Sequence, residues 1–320
     1  MLLPSKYFVA CALVLGTGAA AAQYPLKPVR FVAPYPAGGV NDIVARMLGQ
    51  RMAQALGQPW IVDNRPGRGG NIGTDAVAKS PPDGYTLVHG GMGSLTLGPF
   101  LSKVPYDTLH DFAPVTLTAR APNVIAVHPS LPVQSVKELI ALARSRPGEL
   151  NYATSGIGST PHLTAALFTS MAKVKMVHIP YKGGPPATTD VVAGQVPIGF
   201  APIPSFLPHI VSGRLRGLAV TGLERSPSLP SLPTVSEAGL PGFEMSPWFG
   251  VLAPAGTTRE IVTKLNAELV RILRAPDIAA QFRAQGVEPA HSTPQEFFAV
   301  IEADLKKWGK VIAEAGIRGE

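Results

Sequence analysis

The chain has 320 residues and a mass of 33.5 kDa, which is enough for about two domains. Hydrophobic residues make up 46% of the chain and charged residues only 15%, so the composition excludes a disordered protein. The 33 glycines and 33 prolines fall short of low complexity and predict a globular protein with many tight turns. A net charge of +7 favours anionic partners, but the basic residues form no run, which argues against nucleic-acid binding.

The first 22 residues have the three parts of a secretory signal peptide. Lys6 precedes an apolar run at 7–18 that is too short to cross a bilayer, and Ala20-Ala21-Ala22 provides a cleavage site. We therefore predict export to the periplasm and removal of residues 1–22. A lipoprotein signal at Cys11 is the alternative, although Cys11 lies in the middle of the apolar run. Because Cys11 is the only cysteine, the mature chain is predicted to have no disulfide, zinc ribbon or catalytic thiol.

Beyond the signal, apolar runs of strand length alternate with stretches in which apolar residues recur at helical spacing. Ser135 and Glu138 form a capping box at the start of one of these helices. The alternation predicts an α/β protein with largely parallel sheets. The predicted strands are 29–34, 60–62, 85–88, 124–127, 150–153, 174–177, 215–220 and 249–253.

The carboxyl-terminal part of the chain follows a different pattern. One long helix is predicted from Thr257 to near Gly286, and a second from Thr293 towards Gly316. Their apolar stripes need a sheet to cover, so we expect both to pack on the first lobe. The stretch 226–241 is rich in Pro, Ser and Gly and is predicted to be a long surface connection between lobes.

Glycines are concentrated in turns that follow a strand and precede a helix, at 34–39, 66–73, 154–160 and 181–186. A glycine lets a backbone N–H approach a ligand closely, and a helix N-terminus adds unpaired N–H groups and a positive dipole end. Four such turns predict an anion site built from main-chain donors. The alternative is that they are only the tight turns that any α/β protein needs. A dinucleotide site at 67–73 is a weak interpretation, because no acidic residue ends the next strand.

No catalytic or metal-binding motif accompanies these turns. The chain has no G-x-S-x-G, H-E-x-x-H or Walker lysine motif, and its seven histidines lack metal-ligand spacing. We therefore predict no enzymatic activity, no cofactor and no metal.

Motifs along nearly the whole chain resemble those of the extracytoplasmic receptors of tripartite tricarboxylate transporters, also called Bug proteins. The matching segments include 24–30, 34–42, 63–67, 82–87, 105–107, 111–115, 152–158, 180–183, 219–221, 233–239 and 253–257. The resemblance implies a two-lobed periplasmic binding protein of the Venus flytrap type, type II-like, with two crossing connections. We place lobe 1 at 23–122 and 223–320, and lobe 2 at 123–222.

The resemblance further implies that a small carboxylated or amide-bearing solute is held between the lobes, chiefly by main-chain N–H groups. The partners expected are this solute and the permease subunits of a membrane transporter, with the receptor itself a monomer. Asp42 beside an anion is unexpected, and its alternative role is to cap N–H groups in the first helical turn. The predicted ligand-binding residues are Tyr35, Gly38, Gly39 and Asp42 in one loop, Thr154, Ser155, Gly158, Ser159 and Thr160 in another, and Tyr181 and Lys182 in a third Gly-rich turn.

Two other functions stay open from the sequence. The closed lobes could be read by a membrane sensor rather than by a permease, and no residue pattern separates the two. An exported enzyme acting on a small acid is the third alternative, which a pocket without a paired nucleophile and base would disfavour.

Overall fold

A computed structural model describes residues 24–314 of the chain. The predicted signal peptide, 1–22, and Cys11 lie outside the described residues. Within the described part, no helix has both the length and the apolar character needed to cross a membrane.

The strands are β1 (Val29–Ala33), β2 (Trp60–Asn64), β3 (Thr86–Gly91), β4 (Phe112–Arg120), β5 (Asn123–Val127), β6 (Asn151–Thr154), β7 (Val177–Pro180), β8 (Ile198–Pro202), β9 (Arg216–Val220), β10 (Trp248–Pro254) and β11 (Glu288–Pro289). The helices are α1 (Val40–Leu56), α2 (Asn71–Ala78), α3 (Gly98–Leu101), α4 (Val136–Ser145), α5 (Thr160–Ala172), α6 (Gly184–Val192), α7 (Ile203–Val211), α8 (Arg259–Leu273), α9 (Pro276–Ala284) and α10 (Pro294–Glu314).

The strands form two sheets that repeat one arrangement. The first sheet has the order β11-β4-β10-β3-β1-β2 and the second β7-β6-β8-β5-β9. The chain crosses from β4 to β5 through residues 121–122 and returns from β9 to β10 through residues 221–247. In each sheet, the strand that arrives from the other sheet lies between two strands of the receiving sheet. β10 lies between β3 and β4, and β5 lies between β8 and β9. These two crossings match the predicted two-lobed architecture.

The prediction of largely parallel sheets was wrong for the arriving strands. β1, β2 and β3 are parallel, as are β6, β7 and β8, but β10 is antiparallel to both its main neighbours and so is β5. The reason is geometric. The chain leaves each sheet at the carboxyl ends of the strands and enters the other sheet from that same side, so the arriving strand must run in the opposite direction.

Three local predictions also need correction. The strand predicted at 174–177 is β7, which begins at Val177 and ends at Pro180. The helix predicted from Thr257 to near Gly286 is two helices, because Pro276 has no N–H to continue α8 and instead begins α9. The connection 226–241 is not a simple surface loop, because Val235 is fully buried and pairs through its N–H with Val220.

Other local signals are confirmed. The Ser135 hydroxyl accepts the Glu138 N–H at 3.2 Å and so caps α4, although the Glu138 carboxylate reaches Gln134 N–H at 2.8 Å rather than that of Ser135. Helices α8 and α10 both pack on the first sheet, as their apolar stripes predict. Leu265 and Leu269 of α8 join Val29 and Phe31 in one core cluster.

Candidate functional site

A cavity of about 620 Å³ lies where loops from the two sheets meet. Its volume is in the range usual for small-molecule sites. The first sheet contributes the β1–α1 loop, the turn before α2 and Phe249 of β10. The second sheet contributes the β6–α5 and β7–α6 loops and the start of α7. All these loops follow the carboxyl ends of strands, where ligands bind in α/β proteins.

Five helices begin at the wall of this cavity. The residues that precede the first turns of α1, α2, α5, α6 and α7 all line it, and they are Gly39, Gly70, Ser159, Gly183 and Pro202. Only Ser159 caps its helix with a side chain. The first N–H groups of a helix have no partner within it, and the helix dipole is positive there. Proline, which has no N–H, stands in the first turns of α5, α6 and α7, and the first N–H groups of α2 and α7 already bond to the Arg68 and Pro122 carbonyls, so the open donors are concentrated at α1. The cavity wall is therefore suited to an anion.

At the start of α1, open N–H groups lie close to the Asp42 carboxylate, which is ion-paired and hydrogen-bonded. Asp42 accepts the Gly38 N–H at 2.9 Å and an Asn64 N–H at 2.9 Å, and it pairs with Arg46 at 2.9 Å. Burial alone would raise the pKa of Asp42, but the bonds from Arg46, Gly38 and Asn64 outweigh burial and lower the pKa, so the group is ionised. Asp42 thus shapes the loop, and it does not line the cavity.

Asn41, next to Asp42, is hydrogen-bonded to the buried His89. The Asn41 side chain donates to the His89 carbonyl at 2.7 Å, and His89 Nδ1 lies 3.2 Å from the Asn41 carbonyl. Burial lowers the pKa of His89 to about 3, so the ring is neutral at pH 7 and Nδ1 is the donor. Within the described part of the chain, the buried Asn41 Oδ1 has no hydrogen-bond partner. Asn41 as a residue also lines the cavity.

Tyr35 forms a wall of the cavity beside Gly70. Burial raises the pKa of the Tyr35 phenol and outweighs the opposing hydrogen bonds with Ser94, so its hydroxyl stays protonated. A Cβ on Gly70 would lie 2.9 Å from the Tyr35 ring, and Gly70 has a φ of +100°. Only glycine therefore fits this position without displacing Tyr35.

The β6–α5 loop, by contrast, satisfies its own polar groups. The Ser159 hydroxyl donates to the Gly156 carbonyl at 2.6 Å and accepts the His162 N–H at 3.3 Å. The Gly158 N–H donates to His162 Nδ1 at 3.3 Å. Thr154 is fully buried, and its hydroxyl lies 2.6 Å from His178 Nε2. Of these loop residues, Ser159 lines the cavity, whereas Thr154 and Gly158 do not.

Three stacked rings support this loop. The His162 and His178 rings are 4.4 Å apart and nearly parallel, and Tyr152 stacks on His178 at 5.1 Å. Burial lowers the pKa of His162, and burial together with the nearby His162 lowers the pKa of His178 to about 4. Both rings are therefore neutral at pH 7.

The third predicted loop presents one ring and one cation. The Tyr181 hydroxyl donates to Asp190 at 2.6 Å, and burial and this carboxylate raise the pKa of Tyr181 to about 12. The Tyr181 hydroxyl is thus occupied by Asp190. Lys182 is exposed at the cavity, where its ammonium group makes no hydrogen bond or ion pair to any described residue.

Loops of the two sheets touch each other beside the cavity. A Cβ on Gly69 would lie 3.4 Å from the carbonyls of Ile157 and Gly158, and one on Gly183 would lie 2.7 Å from Pro36 Cγ. Both glycines have a positive φ, +65° and +119°. The absence of side chains at these positions allows the two sides to approach.

The charge of the lining favours a negative ligand. Among the described residues, the charged side chains that line the cavity are Arg68 and Lys182, with no aspartate or glutamate. No group of three His, Cys, Asp or Glu side chains in the described part of the chain is arranged to hold a metal ion.

The structure brings together most of the predicted site residues. The predicted residues that line the cavity are Tyr35, Gly39, Ser155, Ser159, Thr160, Tyr181 and Lys182, whereas Gly38, Asp42, Thr154 and Gly158 lie outside the lining. Sequence reasoning missed the lining residues Asn41, Arg68, Gly70, Ser205 and Phe249. The Gly-rich pattern of 66–73 carried a usable signal for Arg68 and Gly70. No local signal marked Phe249, because β10 reaches the cavity only through the return crossing.

Comparison with known proteins identifies the family. Residues 44–317 match the model of the "Tripartite tricarboxylate transporter family receptor". The chain is 39% identical over 297 residues to protein BugT of Bordetella pertussis, covering 92% of this chain and 91% of BugT. The structure of Rpa4515 from R. palustris with adipate superposes with a TM-score of 0.89, 41% identity and coverage of 93% and 100% of the two chains.

MatC (Rpa3494) from Rhodopseudomonas palustris with bound malate superposes with a TM-score of 0.84, 32% identity and coverage of 90% and 100%. The matching family model describes a receptor, and the predicted fold class is confirmed. With its two crossed sheets and a cavity built from helix N-termini, the chain belongs to the tripartite tricarboxylate transporter receptor family of Bug proteins.

Proposed function

We propose that this protein is a periplasmic receptor that captures a small carboxylate in a cleft between two lobes and delivers it to a tripartite tricarboxylate-type membrane transporter. The observation that carries the proposal is the cavity itself. Five helix N-termini and two unpaired cations surround it, and no acidic side chain of the described residues lines it. The adipate and malate bound by the two relatives support a carboxylate as the ligand class.

In this proposal the lobes are 23–122 with 223–320 and 123–222, and each lobe would be built around one of the two sheets. The ligand carboxylate would accept N–H groups at the start of α1, where Gly39 has no capping side chain. Tyr35 and the Ser159–Thr160 segment would complete the seat, and Tyr181 and Lys182 would close it from the second lobe. Export after removal of residues 1–22 and a monomeric mature receptor belong to the same proposal.

The direct test is mass spectrometry of small molecules released from protein purified gently from its own periplasm. We expect one or a few small carboxylates in stoichiometric amount. A panel of carboxylates should then raise the melting temperature, since a ligand at about 100 times its Kd adds roughly 2.7 kcal/mol. The proposal fails if no small molecule is retained and no carboxylate raises the melting temperature.

Delivery to a transporter needs a separate measurement. Uptake of the labelled ligand by whole cells should fall when the gene is deleted and recover when it is restored. Intact-mass analysis of the exported protein tests the mature start, and a lipid-modified Cys11 at the N-terminus would contradict it.

A further inference from the structure

Arg68 differs from the other arginines near the cavity in having no partner. Arg30 and Arg65 both pair with Asp63, at 2.5 and 2.9 Å, and Arg46 pairs with Asp42. In the described part of the chain, the Arg68 guanidinium makes no hydrogen bond or ion pair, although Arg68 lines the cavity. Arg68 is exposed, and its charge is therefore available to a ligand at the rim of the cavity.

The backbone at Arg68 is strained in a way that a glycine would relieve. Arg68 has a φ of +48°, and Lys173 is the one other non-glycine residue in the described part of the chain with a positive φ. Such a conformation is unfavourable for a residue with a side chain, and strained residues of this kind cluster at active sites and ligand clamps. The flanking residues Gly67, Gly69 and Gly70 also have positive φ values, so this turn already uses glycine at its other demanding positions.

The turn that carries Arg68 is fixed in place. Gly69 packs against the backbone of Ile157 and Gly158 from the opposite sheet, and Gly70 packs against the Tyr35 ring. The guanidinium is thus attached to a short, immobilised segment at the wall of the cavity. An arginine presents a planar pair of donors that matches a carboxylate, which makes it the stronger candidate of the two lining cations for a directed contact.

We propose that Arg68 binds a second carboxylate of the solute, so that the receptor selects dicarboxylates over monocarboxylates of the same chain length. This inference rests on the proposed function, in which the first carboxylate occupies the N–H groups at the start of α1. A cavity of about 620 Å³ has room for a chain that joins two such groups. Arg68 is then the residue that determines specificity, and the N–H groups determine general anion binding.

The test compares matched pairs of acids by titration calorimetry at about 0.15 M salt, where long-range charge effects are largely screened. The pairs run from butanedioate with butanoate to octanedioate with octanoate, and the pair with the tightest diacid is used. The wild type should prefer the diacid by at least about tenfold. Arg68→Gln should weaken the diacid by about tenfold to a hundredfold and the monoacid by less than about threefold.

Two further variants separate binding from folding and from net charge. Arg65→Gln removes the same charge from the same loop but outside the cavity lining, so it should leave both affinities unchanged. Arg68→Gly relieves the positive φ, so it should raise the melting temperature while losing the same diacid affinity as Arg68→Gln. Equal losses for both acids, no loss for either, or a wild type that binds both equally would overturn the role of Arg68 and leave the proposed function standing. A wild type that binds no carboxylate would overturn the proposed function, and this inference with it.

Discussion

The β1–α1 and β6–α5 loops look alike in sequence, since both are Gly-rich turns between a strand and a helix. They differ in how the N–H groups at the start of the helix are hydrogen-bonded. At α1 the cap position is Gly39, with no side-chain hydrogen bond, and the Val40 N–H has no backbone partner in the described structure. At α5 the Ser159 hydroxyl caps the helix, and His162 takes up the Gly158 N–H. The first loop leaves the Val40 donor open, whereas the second loop uses the Gly158 and His162 donors internally.

This difference assigns the two loops different tasks within the proposed site. Open N–H groups at the α1 entry are suited to hold the anion directly. The β6–α5 loop, whose polar groups bond to one another, is suited to act as a rigid wall that closes over the anion.

Removing an open donor from the α1 entry should cost the most affinity. Val40→Pro deletes one N–H at the first position of α1, where proline is tolerated and where Gly39 is already extended. We expect affinity for the carboxylate to fall about tenfold to a hundredfold, since a charge-assisted hydrogen bond contributes about 1.5–3 kcal/mol. Val136→Pro is the matched control, because Val136 is also buried at the first position of a helix, α4, outside the cavity lining. Calorimetry showing equal affinities for the two variants would contradict the seat at α1.

Lowering the pH should destabilise both loops through the histidines beneath them. The pKa of His89 is lowered to about 3 and that of His178 to about 4, whereas both are near 6.5 in the unfolded chain. The unfolded chain therefore binds more protons below about pH 6.5, and stability falls as the pH drops from there towards these folded-state values. For the fully buried His89, the loss is about 1.4 kcal/mol per pH unit.

Denaturant unfolding between pH 7 and 4.5 measures this loss. His178→Gln should flatten the pH dependence, whereas His110→Gln, at a side chain that is 80% exposed, should not. Stability that stays constant from pH 7 to 5 would show that the histidines are not held neutral by the fold.

Removing the cap of α5 should affect stability rather than binding. Ser159→Ala deletes the hydroxyl that accepts the His162 N–H, and we expect a loss of about 1 kcal/mol in the free energy of unfolding. Affinity should change less than about threefold, because a water can replace a hydroxyl at the cavity wall. Ser135→Ala removes the corresponding cap of α4 and should give a similar loss of stability. A tenfold loss of affinity in Ser159→Ala alone would instead place the hydroxyl on the ligand.

Lys182 should have the smallest effect on equilibrium binding. Lys182 is exposed, as Arg68 is, but its ammonium group lacks the planar donor pair of an arginine, so Lys182→Ala should lower affinity by less than about threefold at 0.15 M salt and mainly slow association at low salt. Lys175→Ala, at an exposed lysine outside the cavity lining, serves as the control. If Lys182→Ala loses affinity and Val40→Pro does not, the anion is held by a lysine rather than by N–H groups.

The sequence alone was sufficient for the features that depend on near neighbours in the chain. Apolar alternation located most strands, and glycine-rich turns located the loops that meet at the cavity. The Ser135 cap and the start of α10 at Pro294 follow from the preferences of a single helical turn. These signals are local because the steric and hydrogen-bonding requirements behind them span only a few residues.

Features that join residues far apart in the chain depend on the tertiary structure. The antiparallel direction of β5 and β10 follows from the crossings and not from their own apolar patterns. Phe249 and Asn41 reach the cavity, and Asp42 does not, because of how the elements pack. Whether an arginine is neutralised, as Arg65 is by Asp63, or left open to the cavity, as Arg68 is, depends on which groups folding brings within hydrogen-bond distance. Charge pairing and burial are properties of three-dimensional neighbours, and residue order alone does not specify them.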